Sequence, residues 1–338
     1  MNKFLLNNEL TTDKKIVVIG GGTGSYTLLT QLKIWSKNIT AVVNMCDDGG
    51  SSGKFRDEMG VLPPGDVRQC LVALSNNPST RNLFSYRFDR GSLEGHPLGN
   101  IILSGLELKH KSFTRAIEIV SEFLELTGKV VPVSKENHAL VMLDGKRIIR
   151  GEHKITEHKI IHPGAKIYLE PRAIINPEAE RAIHDADLII IAPGNIYGSI
   201  LPALIVSGMS TALRAASAPK IMVTNLVNKP KQTLNWHVVD YVKEVEKYIG
   251  KGVINYVLYN SKKPSRDLLN KYAEKDEYPV KITPTRFNEI SAEAIGAPFV
   301  ANRIFRKDPG DKAIRRTLIR HDAVEITKQL KKLSSIKP

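Results

Sequence analysis

The sequence predicts a Rossmann-like α/β fold: a doubly wound, mainly parallel sheet with a small β-hairpin insertion. Three observations carry the prediction. Short β-branched runs without polar alternation recur along the chain, as strands buried on both faces require. Amphipathic stretches of helical period separate most of them. Several runs end in glycine-rich or Asp/Gly/Ser-rich loops, the composition expected where a parallel sheet meets a ligand.

The opening strand is predicted at 15–19 and runs straight into Gly20-Gly21-Gly22-Thr23-Gly24-Ser25. Leu28, Leu29, Leu32 and Trp35 follow at helical spacing, completing a strand–turn–helix unit. A second strand at 39–45 ends in Cys46-Asp47-Asp48-Gly49-Gly50-Ser51-Ser52-Gly53. Further strands are expected at 129–133, 166–169, 187–192, 220–223 and 253–258, with 280–282 the last. Helices are expected at 113–125, 177–184, 199–216, 234–248 and 265–274. Residues 140–150 break the pattern, because Val141-Met142-Leu143 and Arg147-Ile148-Ile149 flank Asp144-Gly145, a hairpin turn signal. No repeat, low-complexity tract or long linker divides the 338 residues. A single domain over 1–338 is expected, with an N-terminal extension at 1–14, an insertion at 134–165 and a basic segment at 303–338.

Composition narrows the class. Hydrophobic residues make up 42% and charged residues 25%, a balance that supports a packed core rather than disorder. Cys46 and Cys70 are too few for a disulfide framework and form no C-x-x-C pair, which suits a reducing compartment. Phe4-Leu5-Leu6 is too short for a secretory signal, and no run approaches the roughly 18 apolar residues that span a bilayer. A cytoplasmic protein without membrane contact is therefore expected. The net charge of +14 favours anionic partners. About half of that surplus lies in 303–337, where eleven Lys or Arg face four acids; Lys312, Arg315, Arg316, Arg320, Lys328, Lys331 and Lys332 belong to it. No aromatic side chains interleave with these charges, so nucleic acid has only net charge in its favour and the last lysines read as a solvated helix face.

Four loops carry the candidate chemistry. In the first, the glycines allow left-handed backbone and close approach, and the following helix points its N–H groups at an anion. Phosphate contact is expected there, against the plainer reading of a structural turn. Ser25 stands where G-x-G-x-x-G needs its third glycine, and no Gly-Lys-Ser/Thr ending is present. A nicotinamide oxidoreductase and a Walker-type site are thereby disfavoured, and no redox cofactor is expected. The second loop places Asp47 where a dinucleotide enzyme holds its ribose. Asp47 and Asp48 followed by Gly49, Gly50, Ser51 and Ser52 better suit a divalent ion or a polarised hydroxyl beside a phosphate held on backbone amides. A solvated turn is the simpler alternative. In the third, Pro63-Pro64-Gly65-Asp66-Val67-Arg68, Asp66 can cap the helix through Leu71 to Leu74, and Arg68 adds a planar donor for phosphate. The fourth, Ala192-Pro193-Gly194-Asn195-Ile196-Tyr197-Gly198-Ser199, repeats the strand–glycine–helix order and offers room for a second phosphate or a sugar. Gly95-His96-Pro97-Leu98-Gly99-Asn100 adds His96 and Asn100 as candidates, although a histidine in such a loop is more often a structural hydrogen bonder.

Other chemistries find little support. His153, His158 and His162 match no zinc spacing and are expected on a solvated, extended segment. No G-x-S-x-G elbow is present, and Cys46 has no flanking His or Lys to activate it.

The motifs together resemble a known family. They are Val-Ile-Gly-Gly-Gly-Thr-Gly at 18–24, Asp-Asp-Gly-Gly-Ser-Ser-Gly at 47–53, Arg-Asp-Glu-Met-Gly at 56–60 and Pro-Pro-Gly-Asp-Val-Arg at 63–68. Gly-His-Pro-Leu-Gly-Asn at 95–100, Ala-Pro-Gly-Asn-Ile-Tyr-Gly-Ser at 192–199 and Arg-His-Asp at 320–322 continue the series. In this order they resemble the family uniting 2-phospho-L-lactate transferase (CofD) with the bacterial gluconeogenesis-factor proteins (YvcK-like), over nearly the whole chain. The resemblance implies one of two activities. The transferase joins a phospholactyl or enolpyruvyl phosphate from a guanylate-activated donor to a deazaflavin alcohol, with a divalent metal. The gluconeogenesis-factor branch is associated with UDP-sugar binding, and with cell shape and cell-wall supply during growth on non-sugar carbon. The Arg-Asp-Glu and Pro-Pro-Gly-Asp-Val-Arg stretches look like the second branch, so a UDP-sugar is the expected ligand and a GDP-type ligand the alternative. On this resemblance Gly21, Gly22, Thr23 and Gly24 meet ligand phosphate. Asp47 and Asp48 would hold a metal or polarise an acceptor, and would be the catalytic pair of an active enzyme. Asp66 is a further metal candidate, with Mg2+ the ion considered. Pro193, Gly194, Asn195, Tyr197 and Ser199 would hold the nucleotide's other end, and Arg320 would offer charge to a diphosphate. The Ile-Phe-Arg-Lys-Asp-Pro-Gly-Asp-Lys stretch at 304–312 and the long basic ending depart from the family pattern. A homo-oligomer is left open.

Overall fold

Ile16 to Ile19 expose almost nothing to solvent, because branched aliphatic side chains leave this strand by both faces and helices cover both. That strand lies inside the main sheet of a computed structural model that describes residues 12–162, 164–274, 276–301 and 319–335. In chain order the strands are β1 Ile16–Gly20, β2 Ile39–Val43, β3 Lys129–Pro132, β4 Ala139–Asp144, β5 Arg147–Arg150, β6 Lys166–Glu170, β7 Leu188–Ile191, β8 Lys220–Val223, β9 Tyr256–Asn260 and β10 Glu293–Ala297. The first helices are α1 Gly22–Trp35, α2 Gly50–Met59, α3 Gly65–Leu74, α4 Pro78–Ser85, α5 Leu98–His110, α6 Phe113–Phe123 and α7 Glu152–Glu157. The later ones are α8 Pro177–His184, α9 Leu201–Leu204, α10 Met209–Ala215, α11 Val238–Ile249, α12 Arg266–Ala273 and α13 Ala323–Leu333.

Seven strands make one sheet in the order β10-β9-β8-β7-β1-β2-β3, and every neighbouring pair is parallel. The order reverses at β1, which pairs with β2 on one side and β7 on the other. Register sets Gly20 beside Val43 and Ile19 beside Ile191, so three strands end level and their loops leave from one rim. The doubly wound parallel sheet is thus as predicted.

Leu28, Leu29 and Leu32 of α1 are buried with the aliphatic side chains of β1, β2 and β7 in one apolar cluster. Ile190, on the central strand β7, is wholly buried. Ile190→Ala is expected to lower stability by about 2–5 kcal/mol through lost burial and an unfilled cavity. Equilibrium urea unfolding monitored by circular dichroism measures it.

Several elements depart from the sequence reading. Residues 166–169 join a second sheet, the antiparallel trio β5-β4-β6, rather than the parallel one. The hairpin at Asp144-Gly145 therefore gains a third strand; β6 alternates between buried and exposed residues, as a half-covered strand does. Residues 280–282 form no strand. The last strand is Glu293–Ala297, which lacks a β-branched run and was missed. Gly296 leaves room for the Tyr259 ring of β9, whose carbons a Cβ would meet at 2.7 Å. The single helix expected at 199–216 is a π-helical turn (Ile196–Ile200), α9 and α10, with Gly208 at φ 98° before α10. α2 and α7 were unforeseen, the former beginning inside the Asp47–Gly53 loop and the latter inside the histidine-rich stretch.

The residues 1–11, 302–318 and 336–338 lie outside the described ones, and with them most of the N-terminal extension, the 304–312 stretch and Lys312, Arg315 and Arg316. In α13, Ile326, Leu330 and Leu333 are buried while Lys328 and Lys332 face solvent, the expected solvated helix face. No helix among the described residues is long and apolar enough to cross a membrane.

Candidate functional site

The loops after β1 and β7 leave adjacent strands and touch. A Cβ on Gly24 would overlap the Pro193 carbonyl oxygen and lie 2.8 Å from its carbon, so only glycine permits this contact. Gly22 holds φ at 66°, in the left-handed region. The Asn225 side chain, at the end of β8, fixes the second loop from behind: its Oδ1 accepts from Gly194 N at 3.1 Å and its Nδ2 donates to Gly194 O at 2.8 Å. Thr23 is exposed at the tip.

Asp66 is not the helix cap it was expected to be. It sits in the first turn of α3, behind Pro64 at the cap position, where no side chain caps the helix. Its carboxyl, on a residue only 8% exposed, lies against Gly21, where a Cβ would overlap Oδ2, and accepts from the Gly22 amide. The second and third loops meet as well. Gly65 N donates to Ser52 Oγ at 3.1 Å, and a Cβ on Gly65 would overlap Asp47 Oδ2. Asp47 accepts from Gly49 N at 3.1 Å and from the Ser52 side chain.

His96 and Asn100 join this cluster. Ser51 Oγ lies 2.9 Å from His96 Nδ1, Asn100 Nδ2 donates to Ser51 Oγ at 3.1 Å, and Arg68 Nε donates to Asn100 Oδ1 at 2.8 Å. Phe55 packs on the His96 ring with centroids 4.6 Å apart. Burial lowers the His96 pKa, which favours the neutral imidazole. Gly50 is the exposed start of α2.

Asp47 and Asp48 turn to different hydrogen-bond partners. Asp48 turns to the insertion, where it accepts from the backbone N–H groups of Glu152 (2.9 Å) and His153 (2.6 Å) and lies 3.6 Å from Arg56 Nη1. It thereby holds the start of α7, 104 residues away, against the parallel sheet's rim. Asp48→Ala would strip two amides of their acceptor and is expected to cost about 1–3 kcal/mol; a fall in Tm by differential scanning calorimetry checks it.

What Asp48 brings in is Glu152, which sequence reasoning missed. Glu152 Oε1 accepts from Thr156 Oγ1 at 2.7 Å and lies over Gly198, whose Cβ would collide with it. Asn195 Nδ2 donates to Thr156 Oγ1 at 2.8 Å, joining the fourth loop to α7. Asp47, Asp66 and Glu152 thus share one desolvated locality. Burial, then Asp47 and Asp48, push the Glu152 carboxyl up to about 7. Burial, then the charges of Asp47 and Glu152, raise that of Asp66 well above the usual range. Asp47 is raised mainly by burial, and Arg68 opposes the rise at both aspartates. Among the described residues no three His, Cys, Asp or Glu side chains stand close enough to ligate one metal ion. Asp47 and Asp66, the charge of the first raising the pKa of the second, match in number the one or two carboxylates with which Mg2+ is usually held beside substrate phosphates.

Tyr197 points elsewhere. The Tyr197 hydroxyl donates to Glu244 Oε1 at 3.0 Å inside the core, and its ring meets Trp236 edge-on. Arg320 lies on the segment that returns past the end of β8, where neighbouring His321 Nε2 is 2.9 Å from Thr224 O; that is the carboxyl rim of the sheet, beyond β7. Ser199 is half-buried in the π turn, its N–H donating to Asn195 O at 2.8 Å. Of the three histidines, His158 Nε2 pairs with the buried Asp144 at 2.8 Å, and Asp144 also accepts from the amides of Ile161 and His162. This pins the segment to the hairpin. Cys46 and Cys70 are buried, free thiols whose pKa values burial raises.

Fold and site define a Rossmann-like, doubly wound α/β protein whose glycine loops and buried carboxylates gather at the switch point of its sheet. The chain belongs to the 2-phospho-L-lactate transferase CofD family, whose sequence profile matches residues 16–300. A protein of Thermotoga maritima is 40% identical over 326 residues, covering 95% of this chain and 99% of its own. The gluconeogenesis factor of Bacillus subtilis is 36% identical over 321 residues, covering 94% of this chain and 96% of its own. A crystal structure from Bacillus halodurans superposes with a TM-score of 0.86 at 33% identity, covering 95% of this chain and all of the other.

Proposed function

We propose that the chain is a gluconeogenesis factor that binds a UDP-sugar at the switch-point rim and so couples carbon flow to cell-wall supply and cell shape. The convergence of the four loops carries this reading. Gly24 brings backbone against Pro193, Gly21 and Gly22 lie against the Asp66 carboxyl, and Gly65 lies against that of Asp47. A diphosphate resting on the loop amides would put its charge beside these carboxylates, and Mg2+ held by Asp47 and Asp66 would neutralise both partners. Arg68, tied to Asn100, supplies fixed positive charge nearby. The similarity to proteins named gluconeogenesis factor in Bacillus subtilis and Listeria monocytogenes supports the cellular role.

One observation favours a second reading, a metal-dependent transferase that forms a phosphodiester on an acceptor alcohol. Glu152, with its carboxyl near 7, is suited to take a proton from an acceptor hydroxyl at neutral pH.

A thermal-shift panel with UDP-N-acetylglucosamine, GDP, NAD and a duplex oligonucleotide, each with and without Mg2+, separates the readings. Ligand at about 100 times its Kd adds roughly 2.7 kcal/mol. UDP-N-acetylglucosamine is expected to raise Tm, and more strongly with Mg2+. A shift by GDP and Mg2+ alone would favour the transferase, and a shift by NAD alone would overturn both.

A further inference from the structure

A cleft of about 540 Å³ opens beside Asp48, between α2 and the small antiparallel sheet, and Asp47 does not line it. Asp48, Arg56, His138, Arg150, Lys154 and Glu170 line it. None of its residues except Asp48 belongs to the four loops.

His138 makes the cleft more than a surface groove. The residue is 3% exposed, and its Nδ1 lies 3.0 Å from the carbonyl oxygen of Glu136 and 3.4 Å from Ser134 Oγ. A carbonyl can only accept, so Nδ1 carries the proton and Nε2 presents a lone pair. That Nε2 is buried and has no hydrogen-bond partner. A buried acceptor left without a donor costs about 1–3 kcal/mol, so its retention calls for a donor from outside the chain. Burial also lowers the His138 pKa, which keeps the ring neutral and the lone pair free.

The cations around it want the opposite chemistry. Arg150 pairs with Glu170, and Arg56 with Asp57 and Asp48, but a guanidinium has five donors and each pairing uses only some of them. Lys154 is exposed and, among the described residues, pairs with no carboxylate. Spare donors on three cations beside one unpartnered acceptor match a molecule that carries anionic oxygens at one end and a hydroxyl at the other.

We propose that this cleft is a second small-molecule site, distinct from the switch-point rim, and that it takes a sugar phosphate. Arg56, Arg150 and Lys154 hold the phosphate, and a sugar hydroxyl donates to His138 Nε2. The cleft's volume lies within the range usual for small-molecule sites. Asp48 borders the cleft while holding the amides of Glu152 and His153, so occupancy bears directly on the clamp that positions Glu152.

Isothermal titration of the full chain with glucose 6-phosphate tests this, with UDP-N-acetylglucosamine titrated separately as a report on the rim. Glucose 6-phosphate is expected to bind the wild type, and binding is expected to move the His138 Nε2 signal in long-range 1H–15N spectra. Arg150→Met, at an exposed side chain, should weaken it about tenfold; His138→Phe should weaken it at least fivefold, and His138→Gln, which keeps an acceptor, by less. Response to UDP-N-acetylglucosamine should be the same in all variants as in the wild type, so a failure at the rim is read independently. Absence of glucose 6-phosphate binding, wild-type affinity in both Arg150→Met and His138→Phe, or displacement of glucose 6-phosphate by UDP would overturn the proposal.

Discussion

Gly24→Ala is expected to lower stability by about 3 kcal/mol or more and to abolish ligand response at the rim. The added methyl would occupy the position of the Pro193 carbonyl oxygen, and backbone cannot swing aside as a flexible side chain can. Retreat of the Pro193–Gly194 turn is blocked by its two hydrogen bonds to Asn225. Overpacking of this kind typically costs about 1–3 kcal/mol and occasionally more, and a neighbour that is itself backbone places this position at the upper end or beyond. Gly105→Ala is the matched control. Gly105 lies inside α5, where a Cβ meets nothing within 4 Å, and alanine there should stabilise by up to about 1 kcal/mol. Urea unfolding of the two variants measures the contrast. Equal effects would mean that the two loops do not touch as described.

The second large effect is a pH dependence set by Glu152. Its carboxyl rises from 4.5 to about 7 on folding, because burial and the charges of Asp47 and Asp48 disfavour the anion. A group whose pKa is raised by folding contributes stability below its unfolded value and loses it as pH climbs through the folded one. Between about pH 4.5 and 8 the native state should therefore lose up to about 3 kcal/mol on this account. Glu152→Gln keeps the acceptor for Thr156 and removes the charge. At pH 8 the variant should melt several degrees above the wild type, and the gap should shrink toward pH 4.5. Added Mg2+ should narrow the gap at pH 8 by offsetting the wild type's buried charge. A gap independent of pH would show that Glu152 is not desolvated in the native state. Stability gained with rim function lost is the usual sign of a strained functional group.

Much of the site was legible before folding was considered. Strand, glycine loop and helix follow one another without a break, so residues 16–35 announce both an element order and a rim position. The loops at Gly20–Ser25, Asp47–Gly53, Gly65–Arg68 and Ala192–Ser199 all lie at the carboxyl ends of β1, β2 and β7 or against them. His96 and Asn100 could be placed beside a ligand loop from composition, although their bond to Ser51 could not. β10 escaped because its residues, Glu-Ala-Ile-Gly-Ala, carry no strand pattern of their own and are shaped by the Tyr259 ring.

By itself the sequence determined the class of fold, the family and the rim on which small residues gather, because each depends on short stretches whose chemistry is local. Only the tertiary structure decided which carboxylates meet. Two adjacent aspartates read as a pair, yet Asp48 is drawn off by the amides of α7, while Asp66 and Glu152 take the place beside Asp47. That exchange depends on where an antiparallel insertion docks against a parallel sheet, and long-range electrostatics of this kind leave no mark in residue spacing.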